Sequence, residues 1–360
     1  MSNSAQIKRN WQDILRHVGC IDQLAGVRRL TYTSGRRDGI RGYEVYNATG
    51  LHFNVMESRC LDIFNLWYKG TPFAFVSKPG MVSAQFADTH GVNFLRSAGA
   101  GLLYTCGLTN AGGEYKDDNT YDVFHGRIRF IPPENCGCKE EFLDDDFVLT
   151  VHGEMRDARL FGENLLLSRE IKTSINSKSI QINDVIENRG FEEQEFMFLY
   201  HLNAGYPIVD EGCKLFIPSA SISPNNDAAK KQLDQWGTVT APVDGAIENV
   251  FTHNLMRDEK DQVHAGVYNE KLALGIAYVF SYSALEYIVE WRSMGSGDYV
   301  LGILASNNHC AGRSFERSNG TIKHIKPFER KKLGVTITIL DGEKDLLEFR
   351  EQFNRCTIKG

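Results

Sequence analysis

Apolar and polar residues alternate in short runs through most of this chain, and the period is two rather than 3.6. Ser179-Ile180-Gln181-Ile182-Asn183-Asp184-Val185-Ile186 begins with strict alternation and stops at Asn188-Arg189-Gly190, a turn signal. Val335-Thr336-Ile337-Thr338-Ile339 alternates two β-branched types, as a half-buried strand does. Residues 148–152, 165–171, 195–200 and 272–279 predict further strands, and the 33 glycines supply turns between them. Helical spacing shows only near the ends. Ile7, Trp11, Ile14 and Leu15 share one face before Gly19, and Leu346, Leu347, Phe349 and Phe353 follow a start at Asp341-Gly342. The pattern predicts an all-β chain, a large antiparallel sandwich with short helices near both termini: a helical segment over 1–20, a β domain over 21–342 and a helix over 343–360. The stretch from Pro218 to Pro242 reads as a polar excursion from that domain.

Composition narrows the function without choosing it. A net charge of −6 argues against nucleic acid or an anionic membrane surface as partner. No apolar run is long enough to span a bilayer, and Met1 to Lys8 lacks the apolar stretch of a signal peptide, so a cytoplasmic protein is expected. Eight scattered cysteines are too sparse for a disulfide scaffold and are expected to be reduced thiols. Cys136-Gly137-Cys138 has neither zinc nor redox spacing and reads as a loop after Pro132-Pro133. No metal site and no cofactor are expected. There is no nucleotide-binding glycine fingerprint, and Met294-Gly295-Ser296-Gly297 only approaches a nucleophile elbow.

The candidate chemistry lies in two histidine phrases, Phe124-His125-Gly126-Arg127-Ile128-Arg129 and Leu199-Tyr200-His201-Leu202-Asn203-Ala204-Gly205. Histidine is the side chain that donates or accepts a proton near neutral pH, and two of them in one cleft could move protons on a polar substrate. The lone histidines His52, His90, His152 and His264 read as structural; His253, after an apolar pair and before an amide, stands between the two readings. Arg59 and Asp62 are expected to form a structural ion pair, and Cys106 to be packed rather than reactive.

In their order, the His125-Gly126 and His201-Leu202-Asn203 phrases resemble the aldose 1-epimerase (galactose mutarotase-like) superfamily. Gly101 to Asn110, Arg59 to Ile63 and Trp291 to Gly302 resemble a little-characterised branch of it, so the resemblance runs roughly from residue 50 to 340. It implies a β-supersandwich, a small-molecule sugar as partner, and interconversion of sugar anomers. His201 would be the acid facing the ring oxygen, with His125 binding hydroxyls and Asn203 orienting it. Arg96, Asn110 and Arg127 would donate to hydroxyls or to an acidic substituent, and His253 and Asp298 complete the binding set. The superfamily's base is a glutamate on a late strand; here the expected position, near Leu304, is apolar. Asp298, Glu290, Glu316 or Glu154 are the carboxylates left to replace it. If none does, the alternative is a carbohydrate-binding protein that has lost its base. A metal-dependent sugar isomerase or hydrolase, with His125, His201, His253 and a carboxylate as ligands, is a third reading. Surplus apolar surface on a sandwich face would allow a homodimer.

Overall fold

The computed structural model describes residues 11–117 and 120–359 of the 360-residue chain. The alternating runs form strands at or near their expected bounds: Ser179–Asn188, Arg330–Asp341, Asp146–Ala158, Asn164–Ser174 and Gln194–Gly205. The 272–279 run starts late, as Leu274–Ser281, because Ala273 holds a left-handed turn position (φ 52°).

Two eight-stranded antiparallel sheets dominate. One runs in the order 214–216, 262–269, 274–281, 330–341, 179–188, 164–174, 146–158, 134–143. The other runs 219–224, 249–257, 287–295, 298–306, 194–205, with Leu103–Leu108 and Lys323–Ile325 both paired to the last strand. A five-stranded meander over residues 26–72 joins them. One apolar core holds side chains of all three, among them Ile182 and Ile337, Phe198 and Leu202, and Phe53 and Ile63. This is the all-β sandwich that the alternation predicts. No described helix is long and apolar enough to cross a membrane.

Buried charge ties the sheets together. Arg169 makes a two-pronged bond to Asp184 (2.9 and 2.7 Å) and reaches Asp62 at 3.2 Å, while the Tyr200 hydroxyl donates to Asp184 at 2.7 Å. Each sheet contributes a member, and Tyr200 precedes His201. Asp62 is thus paired with Arg169; Arg59 instead donates to the Ser97 carbonyl at 3.0 Å.

Three local expectations are corrected. Cys136-Gly137-Cys138 lies in the strand Glu134–Leu143, paired to the 146–158 strand, and is not a loop. The 218–242 excursion begins as the edge strand Ser219–Pro224 and contains a short helix, Asp227–Lys231, capped by Asn226 accepting from the Ala229 N–H. At the carboxyl end the helix Glu343–Phe353 is followed by Ile358–Lys359, which returns to pair with the 249–257 strand. At the amino end the structure places a helix over Trp11–Leu15; Ile7 and the rest of 1–10 lie outside the described residues.

Candidate active site

Side chains alternate across the Gln194–Gly205 strand. Phe196, Phe198, Tyr200, Leu202 and Ala204 enter the main core, leaving Met197, Leu199, His201 and Asn203 on the other face. There Met197 and Leu199 join Tyr104, Cys106, Val289 and Leu304 in a separate apolar cluster. Tyr104, His201, Leu304 and Val289 are successive cross-strand partners. His201 therefore stands on an apolar floor, edge-on to Tyr104 (ring centroids 6.2 Å) and Trp291 (5.3 Å).

His125 arrives from a loop. Its backbone is left-handed (φ 60°), as is that of Gly126 (φ 75°), where a Cβ would collide with the carbonyl oxygens of Gly107 and Asn110. The His125 N–H donates to Gly112 (2.8 Å) and its carbonyl accepts from Gly107 (3.1 Å). This turn sets the ring 5.7 Å from that of His201, at 89°. Phe124 and Phe94 flank it at 4.4 and 6.4 Å.

Hydrogen bonds assign each imidazole a different tautomer. Nδ1 of His125 accepts from the Gly112 N–H at 3.1 Å, so the neutral ring carries its proton on Nε2. Asn203 donates through Nδ2 to the Gly101 and His201 carbonyls, which turns its Oδ1 toward His201 Nδ1 at 2.6 Å. His201 thus donates from Nδ1 and keeps a lone pair on Nε2. Burial pushes the His201 pKa down to about 4, and nearby Arg129 pushes the same way, outweighing the Asn203 bond. Burial, then His201, then Arg129 hold His125 well below its ordinary value. At neutral pH the pair is uncharged: one ring offers an N–H, the other a lone pair.

The strand register puts Leu304 directly opposite His201, so the apolar residue does occupy the place beside the imidazole where a carboxylate was sought. Asn203 is brought to the pair, while His253, Asn110, Arg127 and Asp298 are engaged with other partners. His253 faces the opposite side of its strand, fully buried, bonded to Ser219 (2.7 Å) and Glu290 (3.2 Å). Its cross-strand partner Ile288 belongs to the main core, so His253 and Glu290 are removed from the site and the three-histidine metal set does not assemble. Asn110 is wholly engaged with Gly113, Val123 and the Arg313 N–H. Arg127 turns to Asp122 (2.9 Å) and the Tyr121 carbonyl. Asp298 pairs with Lys78 (2.5 Å), six residues along its strand from Leu304, or roughly 20 Å at the strand rise. Arg96 is exposed at the end of the 3-10 segment Gly91–Arg96. Glu316 is bonded to His309 and Thr321, and Glu154 to Asn135. Cys106 is buried, and burial raises its thiol pKa well above the ordinary value. The residue missed is Arg129. Two positions beyond Arg127 in the same phrase, it stacks over Tyr104 (5.6 Å), Phe94 (5.4 Å) and Phe130 (4.5 Å), and so touches the ring beside each histidine.

Cavities of about 410 and 380 Å³ lie elsewhere, one along 212–216 and Arg350, the other among Asp122, Glu195, Arg313 and Arg317. Neither contains a histidine of the pair. The chemistry, rather than the hollows, marks the site, because two neutral imidazoles with opposed tautomers are a more specific arrangement than a polar groove.

The antiparallel supersandwich is the galactose mutarotase-like fold. The chain belongs to the family described as "Domain of unknown function (DUF4432)", whose model matches residues 37–339. No curated protein matches. Among solved structures, a "putative aldose 1-epimerase" of Klebsiella pneumoniae is similar at 21% identity with a TM-score of 0.87, over 93% of this chain and 90% of that one. A galactose mutarotase-like protein of Clostridium acetobutylicum is similar at 15% identity and a TM-score of 0.64, over 89% and 99%. A galactose 1-epimerase of Lactobacillus acidophilus follows at 13% and 0.53, over 89% and 100%. At these identities the likeness carries the fold.

Proposed function

We propose that this protein binds a pyranose sugar on the His125–His201 face and interconverts its anomers. The observation that carries the reading is the pair of opposed tautomers. His201 Nε2 takes the proton of the anomeric hydroxyl as the bond from C1 to the ring oxygen opens. The imidazolium returns that proton to the ring oxygen, giving the open-chain aldehyde with no net gain or loss of atoms or electrons. Rotation about C1–C2 and the reverse steps give the other anomer. His125, neutral like the electrophilic imidazoles of other enzymes, donates its Nε2–H to the oxygen that gains charge. His201 here takes both proton-transfer roles, which answers the apolar Leu304 without a carboxylate. The aromatic edges of Tyr104 and Trp291 supply an apolar wall for a sugar face. The described cysteines are unpaired, which fits a reducing compartment, and we place the protein in the cytoplasm.

Leu304 favours one other reading, a sugar-binding protein whose catalysis is lost. Anomer exchange followed by NMR separates the two. Exchange above the spontaneous rate, falling by about 10²–10⁴-fold in His201→Ala, supports the isomerase. Saturation transfer to a sugar without accelerated exchange supports the binding protein.

A further inference from the structure

Buried cations are ordinarily matched by a carboxylate, because an isolated charge is costly to remove from water. Arg129 is not. It is 1% exposed, and among the described residues it makes no ion pair. Nη1 donates to the Phe124 carbonyl, next to His125, while Nε and Nη2 have no partner. Those two atoms form one edge of the guanidinium plane, the side-on fork that fits the two oxygens of a carboxylate. Arg59 adds a second guanidinium, 7% exposed, that makes no ion pair among the described residues; its Nη2 donates to the Ser97 carbonyl. Burial lowers the Arg59 pKa, with Tyr104 and Asp62 opposing it and Arg129 adding to it.

The position of Arg129 ties it to the histidines. It stacks on Tyr104, which is edge-on to His201, and on Phe94, which is edge-on to His125. Phe94 sits in the short segment Gly91–Arg96, whose Val92 and Leu95 are exposed, and it stacks on Phe124 with ring centroids 4.6 Å apart. The free edge of Arg129 is closed to solvent, so a ligand reaches it by displacing one of the rings packed on the guanidinium.

We propose that the sugar taken by this site is a hexuronate, its carboxylate held on the Nε–Nη2 edge of Arg129 while the anomeric centre lies at His125 and His201. The inference rests on the sugar reading above. A phosphate on O1 is excluded by the same chemistry, since it removes the hydroxyl that His201 must deprotonate; the planar two-donor edge of Arg129 fits the two oxygens of a C6 carboxylate.

The test compares glucuronate and galacturonate with glucose and galactose, in both anomer exchange and saturation-transfer binding, on wild type, Arg129→Met and Arg129→Lys. Methionine fills similar space among the three rings without a charge; lysine keeps the charge without the fork. The expected result is at least tenfold greater kcat/KM for a uronate than for its neutral hexose, with that preference collapsing in both variants. Circular dichroism establishes that each variant is folded, and the wild-type preference stands as a measurement even if one is not. Neutral hexoses exchanged as fast as uronates would overturn the acidic-sugar inference and leave the isomerase intact. Arg129-dependent uronate binding without exchange would uphold the inference and overturn the isomerase. Failure of both uronates to bind at millimolar concentration would overturn the inference.

Discussion

Leu304 and His201 face each other across adjacent strands, with Cβ atoms about 4.5–5.5 Å apart by sheet geometry. Leu304→Glu would place a carboxylate beside an imidazole now held neutral by burial. An anion at that distance favours the imidazolium, so the His201 pKa should rise from about 4 toward or above its ordinary value. The wild-type rate is expected to be flat from pH 6 to 8 and to fall as pH drops through about 4, where His201 loses its lone pair; in the variant that acidic limb moves to higher pH. A pH–rate profile reads both, and an unmoved limb would mean that His201 is not the base. Stability has the same sign. A histidine with an unfolded pKa near 6.5 and a folded pKa near 4 contributes no penalty above pH 6.5. It costs progressively more between those values as the unfolded chain takes up the proton, to a total of about 3 kcal/mol. Wild-type unfolding midpoints should fall across that window, and those of His201→Asn should fall less.

At the scale of elements, the two histidines are delivered by different means. His201 is placed by strand register alone, while His125 depends on a turn that only glycine at 126 allows. Gly126→Ala meets both a left-handed backbone and two carbonyl oxygens, so it should displace His125 and lower kcat by more than tenfold with about 1–3 kcal/mol of lost stability. Thermal unfolding and exchange rates measured together check it; a folded, fully active variant would mean that the turn does not set the histidine. The same contrast decides what the sequence could reveal. Period-two alternation exposes the strands, and the spacing of His201 and Asn203 puts them on one face, so their contact was legible. The parity of its strand sends His253 to the core, opposite Ile288, and sequence alone does not say which face is which. Arg127 and Arg129 share a phrase, but the 3-10 turn Ile128–Phe130 turns one to Asp122 and the other to the rings. No periodicity in the sequence carries that distinction.

At the scale of the whole molecule, the site depends on contacts behind its own sheet. Tyr200 points into the core from the strand that presents His201, and its hydroxyl ends on Asp184, which also holds Arg169, which reaches Asp62 in the meander. This junction joins three sheets far apart in sequence, so it was invisible to local pattern, and the pairing expected of Arg59 with Asp62 was the nearest local substitute. Removing one member leaves the others buried and uncompensated. Asp184→Ala should therefore cost about 3–5 kcal/mol, more than an isolated core hydrogen bond. Tyr200→Phe, which removes one bond and keeps the ring, should cost about 1–2 kcal/mol. The two substitutions share a partner, so their effects should be less than additive when combined, because Tyr200 has nothing to donate to once Asp184 is gone. Urea unfolding of the single and double variants measures the coupling. Strict additivity would mean that the junction is three separate contacts, and that the strand bearing His201 is held by apolar packing alone.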